Sequence, residues 1–289
     1  RPWQGKDCLK GSCWVIMNSA VGLAGTRVCM QSRILTPKNL QENLQNISRH
    51  WQADIDEGGI FEHSVSMIIS KTPLRLSFFG GGTDYPVYFN KYRGAVLGTT
   101  INKYIYVSIN RLSEFFDHKI RVGYSRAELV KHADEIIHPS VRETLKFLNI
   151  GGNLDIHIFA DLPAQTGLGS SSAFTVGLLN ALHALEKKEV TRHQRALDAI
   201  HIEQNLIKEH VGSQDQMHAA HGGLNIIEFS KDSIAMRPVP IAEEKLALLE
   251  KSLLIFYTGL TRFASEILVE QIEKTKASNN HAHLLAMYQ

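Results

Sequence analysis

The sequence predicts an α+β fold on three observations: stretches with a two-residue hydrophobic period, stretches with a helical period, and no regular alternation between the two kinds. The first clear strand is IISKTPLRLSFF, where Thr72, Leu74, Leu76 and Phe78 share one face and Arg75 and Ser77 the other. It runs into GGGTDY. In INKYIYVSI, Ile101, Lys103, Ile105, Val107 and Ile109 alternate with Asn102, Tyr104, Tyr106 and Ser108, and HKIRVGY is the expected hairpin partner. SVRETLKFLNI reads as a helix. NLDIHIFA reads as a strand with Leu154, Ile156 and Ile158 set against Asp155, His157 and Phe159. After PAQTGLGSSSA a helix is predicted to start near Ala173, with Phe174, Leu178, Leu182 and Leu185 at helical spacing.

The next helix opens on a capping box, Thr191 followed by Gln194. At about 100° per residue, Ala196, Ala199, Ile200, Leu206 and Ile207 fall on one side of it, with Glu203 in their middle. GLNIIEF and SIAMRPVPI form an expected hairpin, LLIFYTG a further strand, and FASEILVEQIEKTKA an amphipathic helix. The chain contains no internal repeat.

A chain of 289 residues, 44% of them hydrophobic, can bury one large core or two modest ones. Its 31 basic and 29 acidic residues leave a net charge of +2, no electrostatic footprint for nucleic acid or an anionic membrane surface, so neither is expected as a partner. No apolar run approaches the roughly eighteen residues of a spanning helix. The stretch WVIMNSAVGLAG is interrupted by Asn18 and Ser19, and a cytoplasmic location is expected.

Cys8, Cys13 and Cys29 are odd in number and lack CxxC spacing, which favours neither a disulfide framework nor a zinc site. None follows Met67. Residues 1–66 are therefore set apart as an N-terminal extension or upstream reading artefact, with a small regulatory module as the alternative; NLQENLQNISRHW is their one fair helical stretch.

PAQTGLGSSSA joins a strand to a helix, so it is not a linker between polar neighbours. The first turn of a helix has unpaired N–H groups and the positive end of the macrodipole, which together attract an anion. Glycines admit close approach, and serine hydroxyls add donors or a ligand for a hard cation. An ordinary N-cap is the plainer alternative. Glu203, placed among apolar positions, calls for a cation or a set of donors to offset its desolvation, which a bound metal would supply; a lysine or arginine partner is the plainer alternative. His218 and His221 lie one helical turn apart, but two histidines lack the further ligands that zinc takes.

Three separated segments, TPLRLSFFGGGTDY, PAQTGLGSSSA and the stretch from Glu203 to Asp215, together resemble the GHMP superfamily of small-molecule kinases in order and spacing. KTPLRLSFFGGGTDYP, VGSQDQMHAAHGGLNIIEF and LLIFYTGLTRFASEIL look most like the D-glycero-D-manno-heptose 7-phosphate kinases; fucokinase-type enzymes are also similar. Galactokinases carry a Glu and a His before the TDY element, where this chain has Gly81 and Gly82.

The resemblance implies a two-domain architecture. A ribosomal protein S5 domain 2-like N-terminal domain would occupy residues 67–245, and residues 246–289 would begin a ferredoxin-like C-terminal domain left incomplete by truncation. It also implies ATP and Mg2+ as cofactors and a sugar phosphate as substrate. Pro163, Gly167, Leu168, Gly169, Ser170, Ser171, Ser172 and Ala173 would hold the ATP phosphates, with Ser171 and Glu203 as magnesium ligands. Asp215 would be the catalytic carboxylate, with Arg75 beside it; for Arg75 the plainer alternative is a surface ion pair. Gly81, Gly82, Thr83, Asp84 and Tyr85 would meet the sugar, and Arg262 or Lys103 a distal phosphate. The implied reaction is transfer to the anomeric C1 hydroxyl of heptose 7-phosphate. Another sugar 1-kinase, a non-catalytic sensor and an ATP-using decarboxylase stay as alternatives, and a homodimer is one open oligomeric state. A dinucleotide fold is disfavoured because GLGSSS lacks the third glycine, and no GxxxxGK[ST] string marks a P-loop.

Overall fold

The computed structural model describes residues 13–18, 66–164, 166–256 and 281–288. The chain divides into two compact units, Met17–Ser66 and a larger one of Arg1–Ile16 with Met67–Gln289. The predicted helix at NLQENLQNISRHW lies outside the described residues, as do FASEILVEQIEKTKA and Arg262.

A short strand β1 spans Cys13–Asn18. The sheet that carries the site begins with β2 (Ser66–Phe79), followed by β3 (Gly94–Arg111), β4 (Ile120–Gly123), β5 (Ala127–Val130) and β6 (Leu154–Ala160). From β2 the strand order is β2-β3-β6-β4-β5, and β7 (Leu224–Phe229) with its hairpin partner β8 (Ile234–Pro238) attaches to the first half of β3. Pairing is antiparallel except between β4 and β6. The predicted HKIRVGY hairpin with β3 does not form. β6 takes the β3 edge in antiparallel register, and β4 lies outside it, parallel to β6 and folded back on β5. A parallel pair requires a crossover, supplied here by the helix α2 (Pro139–Phe147).

The period-two readings hold in part: Leu76, Phe78, Ile101 and Ile158 are only partly buried and Lys103 is exposed, with the β2 register shifting after Pro73 and again after Ser77. Ile68, Ser70, Thr72 and Leu74 of β2 are buried, as are Ile105, Val107 and Ile109 of β3 and Leu154 and Ile156 of β6. These side chains meet the helices α2, α3 (Ser170–Leu185), α4 (Arg192–His201) and α5 (Gln214–His221) in one core. A one-turn helix α1 (Pro86–Phe89) follows the GGGTDY turn, and α6 (Glu243–Ser252) and α7 (His281–Tyr288) come later in the chain. Of the predicted strand LLIFYTG, Leu253–Phe256 form no regular element and the rest lies outside the described residues.

Helix α3 starts at Ser170, earlier than Ala173, because Gly169 takes φ 75 and caps it in a left-handed conformation. Every residue from Ser172 to His183 is buried, so α3 is enclosed on all sides and packs against β3, α4 and α5. Thr191 caps α4 through a bond from the Gln194 amide at 3.1 Å, while the Gln194 side chain turns forward to Asp198 instead of back to the cap. From Ile202 to Ile207 the chain makes a π-helical turn. The wider turn breaks the 100° phase: Leu206, expected on the buried face, is exposed, whereas Ile202 and Glu203 are fully buried.

Candidate active site

The site is built where β2, the Gly/Ser loop, the π turn and α5 converge. Proline has no N–H for a ladder, and the β2–β3 register shifts between Pro73 and Arg75. There the Arg75 N–H bonds Leu168 O across the sheet edge at 3.0 Å. Its guanidinium grips both oxygens of Asp215, Nε to Oδ1 at 2.7 Å and Nη2 to Oδ2 at 2.9 Å, and Nη1 donates to Gly167 O at 2.7 Å. This is the bidentate geometry only arginine provides. Asp215 sits in the first turn of α5.

Gly167 and Gly169 both have positive φ, 74 and 75. A Cβ on Gly169 would lie 3.2 Å from Asp215 Oδ2 and from Arg75 Cγ. The glycine therefore brings the loop backbone against the ion pair, next to the open first turn of α3. In that turn Ser171 is exposed and Ser172 is buried, as successive residues must diverge on a helix. It is Ser172 whose Oγ donates to Glu203 Oε2, at 2.8 Å, while Ser171 faces outward in the same turn. Pro163 is exposed, Leu168 and Ser170 are partly buried, and Ala173 lies within the core.

Glu203 has no lysine or arginine partner among the described ion pairs. Gln216 Nε2 donates to the same Oε2 at 2.6 Å, and Oε1 is left without a hydrogen bond. Thr175 lies beside it but donates to Ser171 O at 3.3 Å. Burial raises the Glu203 pKa to about 7 against the lowering effect of the surrounding hydroxyl and amide donors. His218, one turn beyond Asp215, is fully buried with both ring nitrogens unpaired, and burial, then Arg75 and His221, lower its pKa to about 3.

The GGGTDY turn is tied to both β3 and α5. Thr83 Oγ1 donates to Gly80 O at 2.7 Å and accepts from the Ala95 amide at 3.1 Å. Asp84 is buried, with Oδ1 accepting from the Gly82 amide at 3.0 Å and Oδ2 from the Gln214 amide at 3.3 Å. A Cβ on Gly212 would meet Asp84 Oδ2 at 1.9 Å, so the close approach requires glycine there. Asp84 thereby latches the turn to the start of α5, and burial followed by the Asp215 charge raises its pKa. Tyr85 and Gly82 are also buried, whereas Gly81 is exposed on the same side as Ser77. Lys103 is exposed on β3. A groove of about 640 Å³ lies beside β2, lined by Lys71, Pro73 and Leu76 on one side and Leu246, Leu249 and Leu253 on the other.

Sequence reasoning did not find Ser172 as the partner of Glu203, Gln216 or Gly212. Gln216 stands next to Asp215 in SQDQM, and its full burial was the one signal that sequence could not supply.

A Gly/Ser strand-to-helix loop abuts an arginine-clamped aspartate on a mixed sheet with helices, and residues 124–223 match the family described as GHMP kinases N terminal domain. Among individual relatives, D-glycero-alpha-D-manno-heptose 7-phosphate kinase of Campylobacter jejuni subsp. jejuni serotype O:2 is 28% identical over 217 residues, covering 69% of this chain and 62% of that protein. Galactokinase of Pyrococcus furiosus is 26% identical, covering 68% of this chain and 55% of its own. This chain thus spans less than two thirds of the length of either relative. In structure it is similar to a D-glycero-D-manno-heptose 1-phosphate kinase from Bacteriodes thetaiotaomicron, with TM-score 0.60 and 25% identity over 75% of this chain and 73% of that one. A putative sugar kinase from Campylobacter jejuni shares the fold, with TM-score 0.56 and 24% identity over 78% of this chain and 77% of that one.

Proposed function

We propose that this chain belongs to an ATP-dependent sugar kinase that phosphorylates the anomeric C1 hydroxyl of D-glycero-D-manno-heptose 7-phosphate, giving the 1,7-bisphosphate. The observation that carries the reading is Asp215 clamped by Arg75 against the Gly167–Gly169 backbone, which sets a proton acceptor, a cation and an anion loop side by side. The heptose 7-phosphate kinase similarity supports the acceptor.

Phosphoryl transfer demands alignment, charge neutralisation and a route for the acceptor proton. In this reading the first-turn amides of α3 and the Ser170–Ser172 hydroxyls bind the ATP phosphates. Asp215 takes the proton of the sugar hydroxyl as its oxygen forms a bond to the γ-phosphorus, the bond to the β-phosphate oxygen breaks, and ADP leaves. Arg75 neutralises negative charge beside Asp215 and fixes the carboxylate plane through two bonds.

The residues fit a hard divalent cation, since Glu203 keeps one buried oxygen unpaired. Magnesium typically takes one or two carboxylates plus substrate phosphates. Glu203 and Ser171 would hold magnesium, which supplies neutralisation of phosphate charge when bound.

The test is magnesium-dependent ADP formation with heptose 7-phosphate, L-fucose and galactose in parallel, using this chain, a C-terminally extended form and Asp215→Asn. Turnover confined to the heptose phosphate, and lost in Asp215→Asn, supports the reading. Turnover with galactose or fucose instead replaces the acceptor, and nucleotide binding without turnover in the extended form sinks the kinase assignment.

A further inference from the structure

Asp215 and Gln216 are neighbours on α5, yet they reach the phosphate loop by separate routes. Asp215 does so through Arg75, which also bonds Gly167 O. Gln216 does so through Glu203: its Nε2 lies 2.6 Å from Glu203 Oε2, the oxygen that also accepts from Ser172 Oγ in the first turn of α3. The segment from Gly167 to Ser172 is therefore held at both ends by consecutive residues of one helix.

The orientation of Gln216 follows from its partner. A Glu203 that ligates a cation is ionised and only accepts, so toward that state the amide turns its NH2 group to Oε2, the orientation seen here. Gln216 Oε1 is then left buried without a partner, and the residue is fully enclosed. An unpaired buried amide oxygen is destabilising, and an apolar side chain at this position would avoid it. Packing does not call for glutamine here; Oε2 of Glu203 does. The π turn completes the arrangement, because Lys208, in a left-handed conformation, donates its N–H to Glu203 O and closes a wide turn that faces Glu203 inward.

We propose that Gln216 is a positioning residue for Glu203: with Ser172 it immobilises Oε2, so that Oε1 is the oxygen left to a divalent cation. The inference rests on the kinase reading above. Partners that orient a ligating carboxylate are worth about 10–100-fold in metal affinity.

The test uses Mn2+ as the probe, followed by electron paramagnetic resonance with ADP present, in the wild type, Gln216→Met, Gln216→Asn and Glu203→Gln. Gln216→Met keeps the length without the donor. Gln216→Asn keeps a polar amide but withdraws it by one methylene, so a packing failure in the first variant leaves the second to decide. We expect Mn2+ to bind about tenfold or more weakly in either variant, with metal-free ADP affinity unchanged, and Gln216→Met to add nothing in the Glu203→Gln background. Unaltered Mn2+ affinity in a folded variant overturns the positioning role, and so does an equal loss of metal-free ADP affinity. A wild type that binds ADP with no metal dependence overturns the kinase reading, and this inference falls with it.

Discussion

The Arg75–Asp215 pair can be weighed by a double-mutant cycle of Arg75→Met and Asp215→Asn. The pair is joined by two charge-assisted bonds, at 2.7 and 2.9 Å. Breaking a fully buried pair costs about 3–5 kcal/mol. Here the side chains are 14% and 23% exposed, so water screens part of that loss. Arg75→Met removes both bonds and a third to Gly167 O, and leaves Asp215 uncompensated; we expect about 3 kcal/mol of destabilisation. Asp215→Asn keeps one acceptor but leaves the guanidinium charge without a counter-charge, for about 2 kcal/mol. The double variant should lose about 3 kcal/mol where independent effects would sum to about 5, a coupling of about 2 kcal/mol. Urea denaturation at neutral pH gives all four stabilities with one slope. Additivity to within about 0.5 kcal/mol would refute the reasoning, because the bonds would then contribute nothing jointly. Arg75→Lys, which keeps the charge without the fork, should recover less than half of the loss.

Gly169→Ala should lose about 1–2 kcal/mol by urea denaturation, since φ 75 disfavours a side chain, and should weaken ADP binding because the new Cβ lies 3.2 Å from Asp215 Oδ2. Gly80→Ala should lose more than 3 kcal/mol or fail to accumulate in soluble form, because at φ 85 its Cβ would lie 1.8 Å from Ala95 O and a backbone must move. His218 gives a pH signature: with a folded pKa of about 3, it stays neutral while the unfolded chain takes up a proton below an ordinary histidine pKa near 6.5. The unfolded state then binds more protons, so stability falls as pH drops through that window. Relative to His218→Leu, the wild type should lose about 2 kcal/mol more between pH 7 and pH 5, and parallel profiles would argue against the buried neutral imidazole.

Much of the fold was legible because half-buried strands repeat every two residues. The odd positions from Ile105 to Ile109 alternate with Tyr106 and Ser108, and the sheet buries that face together with Ile68, Ser70, Thr72 and Leu74 of β2. The Thr191 cap was legible because one hydroxyl and one amide decide it locally. Strand order was not, since periodicity fixes which face is buried and says nothing about which neighbour lies beside it; β6 between β3 and β4 is a tertiary outcome.

In the site, Arg75 with Asp215 was readable by resemblance, and the buried Glu203 from the cost of placing a carboxylate among apolar positions. The choice of Ser172 over Ser171 depends on the residue at which α3 begins, and a left-handed Gly169 moves that start to Ser170. The exposure of Leu206 depends on a π turn, which a fixed 100° step cannot represent. The enclosure of Asp84 follows from Gly212, a residue whose role is the absence of a side chain.

Helix α3 has no wet face from Ser172 to His183, and its first turn continues directly from the Gly167–Gly169 loop proposed to hold phosphate. A rod clamped along its whole length cannot tilt at one end without disturbing the rest. Substitutions at Leu178 or Leu182, far along the helix from any phosphate, should therefore register as changes in nucleotide affinity as well as in stability. On the proposed kinase reading the hydrophobic core acts as the mount of the site, so a screen for binding defects will return core positions alongside the residues that touch ligand.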